Sequence, residues 1–194
     1  MGIALTQTGG PAVEPLSLTE AKLHLRVEHT ADDLLIADLI TAAREYVEAT
    51  TRRQCITATW VLKRDHFPGE FVVPYPPLQS VTSIIYVNTS GATASLSSAV
   101  YTVDTASIPG KVYETYGQSW PATRGTQQDV RMTYKAGYGD AATTVPEAIR
   151  AAMKLLIGDW YWQREEQGGS RVSARVAAGV GALLMPYRVW EELE

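Results

Sequence analysis

The hydrophobic period of this chain changes twice, and that change limits the folds open to it. Between Ser17 and Arg53 apolar residues return every three to four positions, as on one face of a helix. Leu18, Ala21 and Leu25 mark a short helix to about Val27. Leu35, Leu39, Ala42, Ala43, Tyr46, Val47 and Thr50 mark a longer one over about 31–53. From Ile56 to Gly139 the period is two, in runs rich in β-branched and aromatic residues such as "ITATWVLKRDHF" (56–67) and "VRMTYKAGYG" (130–139). "GEFVVPY" and "PPLQSVTSIIYVN" read as strands too, and "AVYTVD" (99–104) with "KVYETY" (111–116) as a hairpin around "TASIPG". No helical pattern interrupts this stretch, so its strands meet through hairpin-like connections. That predicts an antiparallel sheet or a small barrel. At Pro146 the helical period returns, with Ile149, Met153, Leu156, Ile157, Trp160 and Tyr161 on one stripe until about 166. The expected fold is α+β: a helical bundle with an inserted antiparallel β-sheet region and an extended C-terminal tail. The expected segments are an N-terminal arm (1–16), a bundle (17–55 plus 140–167), the inserted β region (56–139) and a C-terminal docking tail (168–194).

Local signals place the helix ends. "SLTE" from Ser17 to Glu20 is a capping box, in which each side chain reaches the other's backbone N–H. Thr30 with Asp33 predicts a second N-cap followed by an acid in the first turn. Arg52 and Arg53 complement the dipole at the far end of that helix. "QGGS" (167–170) stops the last one.

The tail poses a separate question. It runs through the small residues of "SARVAAGVGA" (173–182) into "LLMPYRVW" (183–190), a large apolar load for a chain end. Either Leu183, Leu184 and Trp190 cover the protein's own helices, or they dock into another chain. In the second case Arg171, Arg175 and Arg188 pair with a partner's acids. Leu183, Leu184, Tyr187 and Trp190 then fill its pockets, and Pro186 stiffens the segment.

The search for chemistry is mostly negative. His24, His29 and His66 are scattered, and His24 with Glu28 at helical spacing reads as a surface pair, so no metal site is expected. A single cysteine, Cys55, rules out an intrachain disulfide and zinc-finger spacing, and it reads as a half-buried structural residue. Asp32, Asp33 and Asp38 are helix-terminal or surface carboxylates. "WYW" (160–162) is a core stripe before it is a stacking platform. "GYGD" (137–140) lacks the Lys-Ser/Thr of a phosphate loop. No catalytic residue, cofactor or enzyme activity is expected. A net charge of −4 and a pI near 5.4 argue against tight nucleic-acid binding. The first residues have neither the basic nor the apolar region of a signal peptide, and no apolar run is long enough to span a membrane.

Three phrases of the sequence resemble one family. "EPLSLTEAKLHLRVEHTADDLLIADLITAAREYVEATTRRQCITATW" (14–60) is similar to the opening of the head–tail connector (adaptor) proteins of long-tailed phages and gene transfer agents. "YKAGYGDAATTVPEAIRAAMKLLIGDWYWQREE" and "LLMPYRVW" look like that family's Gly-Tyr-Gly strand end, Val-Pro helix start and closing phrase. The resemblance implies a structural protein of the particle neck, made in the bacterial cytoplasm. It implies a ring, typically of twelve, under the portal protein, with a stopper or tail-completion protein on the far side. Double-stranded DNA would pass through the channel without sequence-specific binding. It also implies that the tail docks on the portal. The competing expectation is a cytoplasmic DNA-packaging accessory protein touching DNA transiently through Arg124, Arg131, Lys135, Arg150 and Lys154.

Overall fold

The computed structural model of the chain describes residues 2–163 and 172–190. Two compact units emerge, each around its own core. One runs through Pro11 and over Thr57–Gly137, and the other takes Ala12–Ile56 and Tyr138–Trp190.

The first unit is all β. Its strands are β1 (Ile3–Gly9), β2 (Ala58–Arg64), β3 (Glu70–Val72), β4 (Leu78–Val87), β5 (Thr93–Ser95), β6 (Tyr101–Asp104), β7 (Lys111–Glu114) and β8 (Val130–Ala136). They form a five-stranded sheet in the order β1-β2-β8-β4-β5 and a three-stranded sheet in the order β3-β7-β6. Every pairing is antiparallel, as the uninterrupted period-two stretch predicts. Along β8, Val130, Met132, Tyr134 and Ala136 are buried while Arg131 and Lys135 are exposed. These inward residues join Leu62, Phe71, Ile84 and Val112 in a core that excludes water. At ~1.5–3 kcal/mol for each large side chain, that burial is the main force holding the sheets. Gly110 is required here: a Cβ would stand 2.5 Å from Leu78 Cβ. The segment expected to be a free arm instead supplies β1, with Ile3 opposite Arg64 and Leu5 opposite Leu62.

The second unit is helical: α1 (Leu18–Leu25), α2 (Asp33–Thr51), α3 (Glu147–Trp162) and α4 (Ala174–Leu184). The capping box at Ser17 and Glu20 forms as expected. The second cap does not. Asp32 occupies that position without a side-chain cap bond, and the Thr30 carbonyl accepts the Asp33 N–H instead. The buried face of α2 is also one position round from the stripe read in the sequence. Ile36, Ile40, Ala43, Val47 and Thr51 are inside, whereas Leu35 is 36% exposed. Adjacent apolar pairs such as Leu35-Ile36 and Leu39-Ile40 give two stripes at the same period, so spacing alone does not choose between them. On α3 the expected residues are right, with Trp160 half-buried, Tyr161 buried and Trp162 exposed. Its expected end near 166 lies outside the described residues.

The C-terminal segment departs most from expectation. Instead of running extended, Ala174–Leu184 is a helix, and Met185–Tyr187 follows as a turn of 3-10 helix. Val180 and Leu184 enter the helical core beside Met153, Leu156 and Ile157. α4 packs on α3 at ordinary contact distance, with Leu155 Cδ1 3.8 Å from where a Cβ of Gly179 would stand. Among the described residues, no helix is long and apolar enough to cross a membrane.

Candidate functional site

The helical unit holds its N-terminal stretch by buried charge. Arg44, 8% exposed, donates from Nε to Glu14 Oε2 at 2.8 Å and from Nη1 to Glu48 Oε2 at 2.9 Å. Glu48 Oε1 accepts from Gln54 Nε2 at 2.7 Å and from the Cys55 N–H at 2.9 Å, tying the end of α2 to the chain that follows. Burial pushes the Glu48 carboxyl above its usual range, although the Cys55 N–H and Arg44 pull it back. Arg150, 7% exposed, donates to the Pro15 carbonyl at 3.1 Å and pairs with Glu20 and Glu147. Glu20 is held below its usual range by the Ser17 N–H, with help from the Ser17 hydroxyl and Arg150 against the opposing effect of burial. Lys22 pairs with Asp33 at 2.6 Å, and the Tyr161 hydroxyl donates to Asp32 at 2.5 Å. Each of these groups has a partner within the helical unit.

The other sequence candidates for chemistry fare the same way. Cys55 is fully buried rather than half-buried, and burial drives its thiol pKa upward, away from the reactive thiolate. His24 is exposed on α1, which ends at Leu25, so Glu28 does not share its helix face. Among the described residues no cluster of His, Cys, Asp or Glu is arranged to hold a metal ion. Gly139, with φ of 154°, sits where a Cβ would press within 2.8 Å of Thr144 Cγ2, so "GYG" makes a tight turn and not a phosphate cradle.

The C-terminal segment is the chief candidate for an interaction site, and its residues divide into two groups. Leu184 is fully buried, and Leu183 and Tyr187 pack half-buried against the same core. Pro186 lies in the 3-10 turn. Arg175, Met185 and Trp190 are exposed, the last two by 65% and 71%. The Arg188 guanidinium stacks over the Trp190 ring at 5.1 Å. Arg171 lies outside the described residues. What the spacing argument missed is how the segment is fastened. The last carbonyls of a helix lack intrahelical partners, and here the tail supplies them. The Val189 N–H donates to the Thr51 carbonyl at 3.0 Å, and Arg188 Nε donates to the Thr50 carbonyl at 3.3 Å. Arg53 Nε returns a bond to the Tyr187 carbonyl at 2.5 Å. The paired arginines 52 and 53 were the visible signal, but as dipole partners they point to the helix end and not to the tail.

The cations proposed for DNA contact also divide. Arg150 is buried in its ion pairs and is removed from that role. Arg124 is bound to Thr126 and Asp129. Lys154 is half-buried on α3, and Arg131 and Lys135 stand exposed on β8.

Residues 15–109 match the family model described as "Phage gp6-like head-tail connector protein". The match reaches further into the β region than the phrases quoted above, and it stops before their second and third. No curated protein matches the chain closely enough in sequence to count as a relative. Solved structures do match in fold. One is described as the neck of an empty GTA particle computed with C6 symmetry, with a TM-score of 0.76, 21% identity, and coverage of 98% of this chain and 97% of that one. A second comes from the virion of a native gene transfer agent particle, with a TM-score of 0.77, 21% identity and coverage of 97% of both chains. A third, the neck of a native GTA particle computed with C12 symmetry, gives 0.75 at 20% identity over 98% of this chain and 97% of that one.

Proposed function

The chain belongs to the gp6-like head–tail connector family through residues 15–109, and from that premise we propose that it is a structural adaptor of the particle neck. In this reading twelve copies form a ring under the portal protein. The ring joins the DNA-filled head to a stopper or tail-completion protein and leaves a channel for double-stranded DNA. The chain is made in the bacterial cytoplasm, acts in the finished neck, and performs no catalysis and needs no cofactor. The family match is the observation that carries this reading. A fold shared with a neck subunit over 98% of the chain supports it, and the C12 symmetry of another such neck favours twelve. The net charge of −4 suits a conduit that must let phosphates pass.

The tail is the portal-docking element in this proposal. Leu183, Leu184 and Tyr187 anchor it on the chain's own helices, and Pro186 turns it. Arg175, Arg188 and Trp190 face the partner. An exposed tryptophan backed by arginine has the composition of an interface anchor. The test is truncation after Tyr187, which spares Leu184. We expect a soluble protein whose melting temperature falls by only a few degrees, on the order of 1 kcal/mol for the lost helix cap. Electron microscopy should then show full heads without tails. Normal neck incorporation of the truncated chain would remove the docking role. A chain that never appears in necks, even at full length, would favour the cytoplasmic packaging accessory, for which the exposed Arg131 and Lys135 speak.

A further inference from the structure

One face of the five-stranded sheet carries three cations among hydroxyls and apolar residues such as Val61 and Ile85, and none of its strand residues is a carboxylate. Residues directly opposite in an antiparallel pair project to the same side. Lys63 of β2 stands opposite Arg131 of β8, and Lys135 lies four residues along β8, opposite Thr59 and Ser80. Thr133 and Ser83 fill the space between. At about 3.3 Å per residue the cations span roughly 13 Å, the length of several phosphates of one DNA strand. The acid next in sequence, Asp65, already accepts the Gly2 N–H at 2.7 Å and the Gln128 N–H at 3.0 Å. Among the described residues no carboxylate pairs with Lys63, Arg131 or Lys135.

This arrangement works against the fold. Like charges directly opposite in a sheet repel, and this chain is acidic overall, so acids to compensate them are plentiful elsewhere. A polyanion laid across the face removes the repulsion. The face has none of the largely exposed apolar side chains, such as Trp190 or Leu34, that anchor protein interfaces. Val61, opposite Thr133, and Ile85, opposite Arg131, are half-buried on it, so the polar groups of the face are cations and hydroxyls, the groups by which proteins meet a nucleic-acid backbone. We propose that Lys63, Arg131 and Lys135 form a sequence-independent contact surface for the phosphates of double-stranded DNA. The site follows from the sheet register, and only the source of the DNA rests on the neck reading. Three contacts per copy bind weakly, so DNA is guided without being held.

The test is fluorescence anisotropy of a short labelled duplex with the full chain, read against sodium chloride. Three phosphate contacts predict a log–log slope of about −2.7, or a loss of roughly forty-fold between about 50 and 200 mM salt. The triple variant Lys63→Gln/Arg131→Gln/Lys135→Gln should flatten that slope while melting at the same temperature or higher, because the repulsion is gone. The charge-keeping variant Lys63→Arg/Arg131→Lys/Lys135→Arg should retain it, and so should Lys154→Gln. No binding by the parent chain at low salt, or an unchanged slope in the triple variant, overturns the proposal. So does a triple variant that binds DNA normally yet is lost from necks, which would assign the face to an acidic protein. Failure of the neck reading shows separately, as absence of the full-length chain from necks by microscopy, with the titration unaffected.

Discussion

The helical unit reaches across the chain with charge, whereas the β unit reaches across it with backbone. Glu14 meets Arg44 and Glu20 meets Arg150 inside the helical unit, joining residues 30 and 130 positions apart. In the β unit residues equally remote are joined by ladders, such as Ile3 to Arg64 and Leu62 to Met132, over a core of Phe71, Ile84 and Tyr134. A helix satisfies its own backbone, so its place in a bundle must be specified by side chains. A strand finds its neighbour through the backbone, and its side chains need only alternate. A carboxylate that must face one guanidinium tolerates little substitution, while an apolar position in a sheet accepts several residues of similar size.

The sharpest way to break this comparison is to damage each unit by its own means and watch where the damage goes. Phe71→Ala should give the largest effect, about 4 kcal/mol, from lost transfer energy and the cavity left behind. Hydrogen exchange should report it across β3 and β7 with little dependence on pH. Arg44→Ala should follow at about 3 kcal/mol, because Glu48 is left buried without its cation. Denaturant unfolding should show that loss shrinking as pH falls, since protonated Glu48 no longer needs a partner; a loss unchanged at acid pH would mean that packing and not charge is what Arg44 provides. The smallest effect is expected for Glu20→Gln, on the order of 1 kcal/mol, because the amide keeps part of the cap. The folded state holds the Glu20 carboxyl below its ordinary value. Its contribution is therefore complete above the unfolded value near 4.5 and is lost as pH drops through the lower folded value. Parent and variant should differ at neutral pH and converge in acid.

The same contrast explains what could be read beforehand. The antiparallel sheets follow from an uninterrupted period of two, and Ser17 with Glu20 follows from cap chemistry, because both signals are local. The face of α2 was misread because its apolar pairs support two stripes, and only packing against α3 selects Ile36 and Ile40. The tail was misread as extended because "SARVAAGVGA" has little apolar bulk. Its helix is stabilised by Val180 and Leu184 packing beside Met153, Leu156 and Ile157 of the preceding helix α3, a contact that composition within the tail does not reveal. The candidate docking residues were recognisable as a set, but their division was not. Spacing does not reveal that Leu184 is inside while Trp190 is outside. The cationic sheet face was half legible: Arg131 and Lys135 had been marked, but Lys63 joins them only through the pairing of β2 with β8.

The fastening of the tail to the end of α2 makes the two ends of one lever. Any body that grips Trp190 while the Val189 N–H and Arg188 hold the Thr51 and Thr50 carbonyls also steadies the last turn of α2. Whatever loosens that turn must weaken the grip by the same factor, because coupling between two equilibria is reciprocal. A pull along the tail would load those two bonds before it reached Leu184. The helix end would then take tension ahead of the buried anchor, one turn from Glu48 of the Arg44–Glu48 pair.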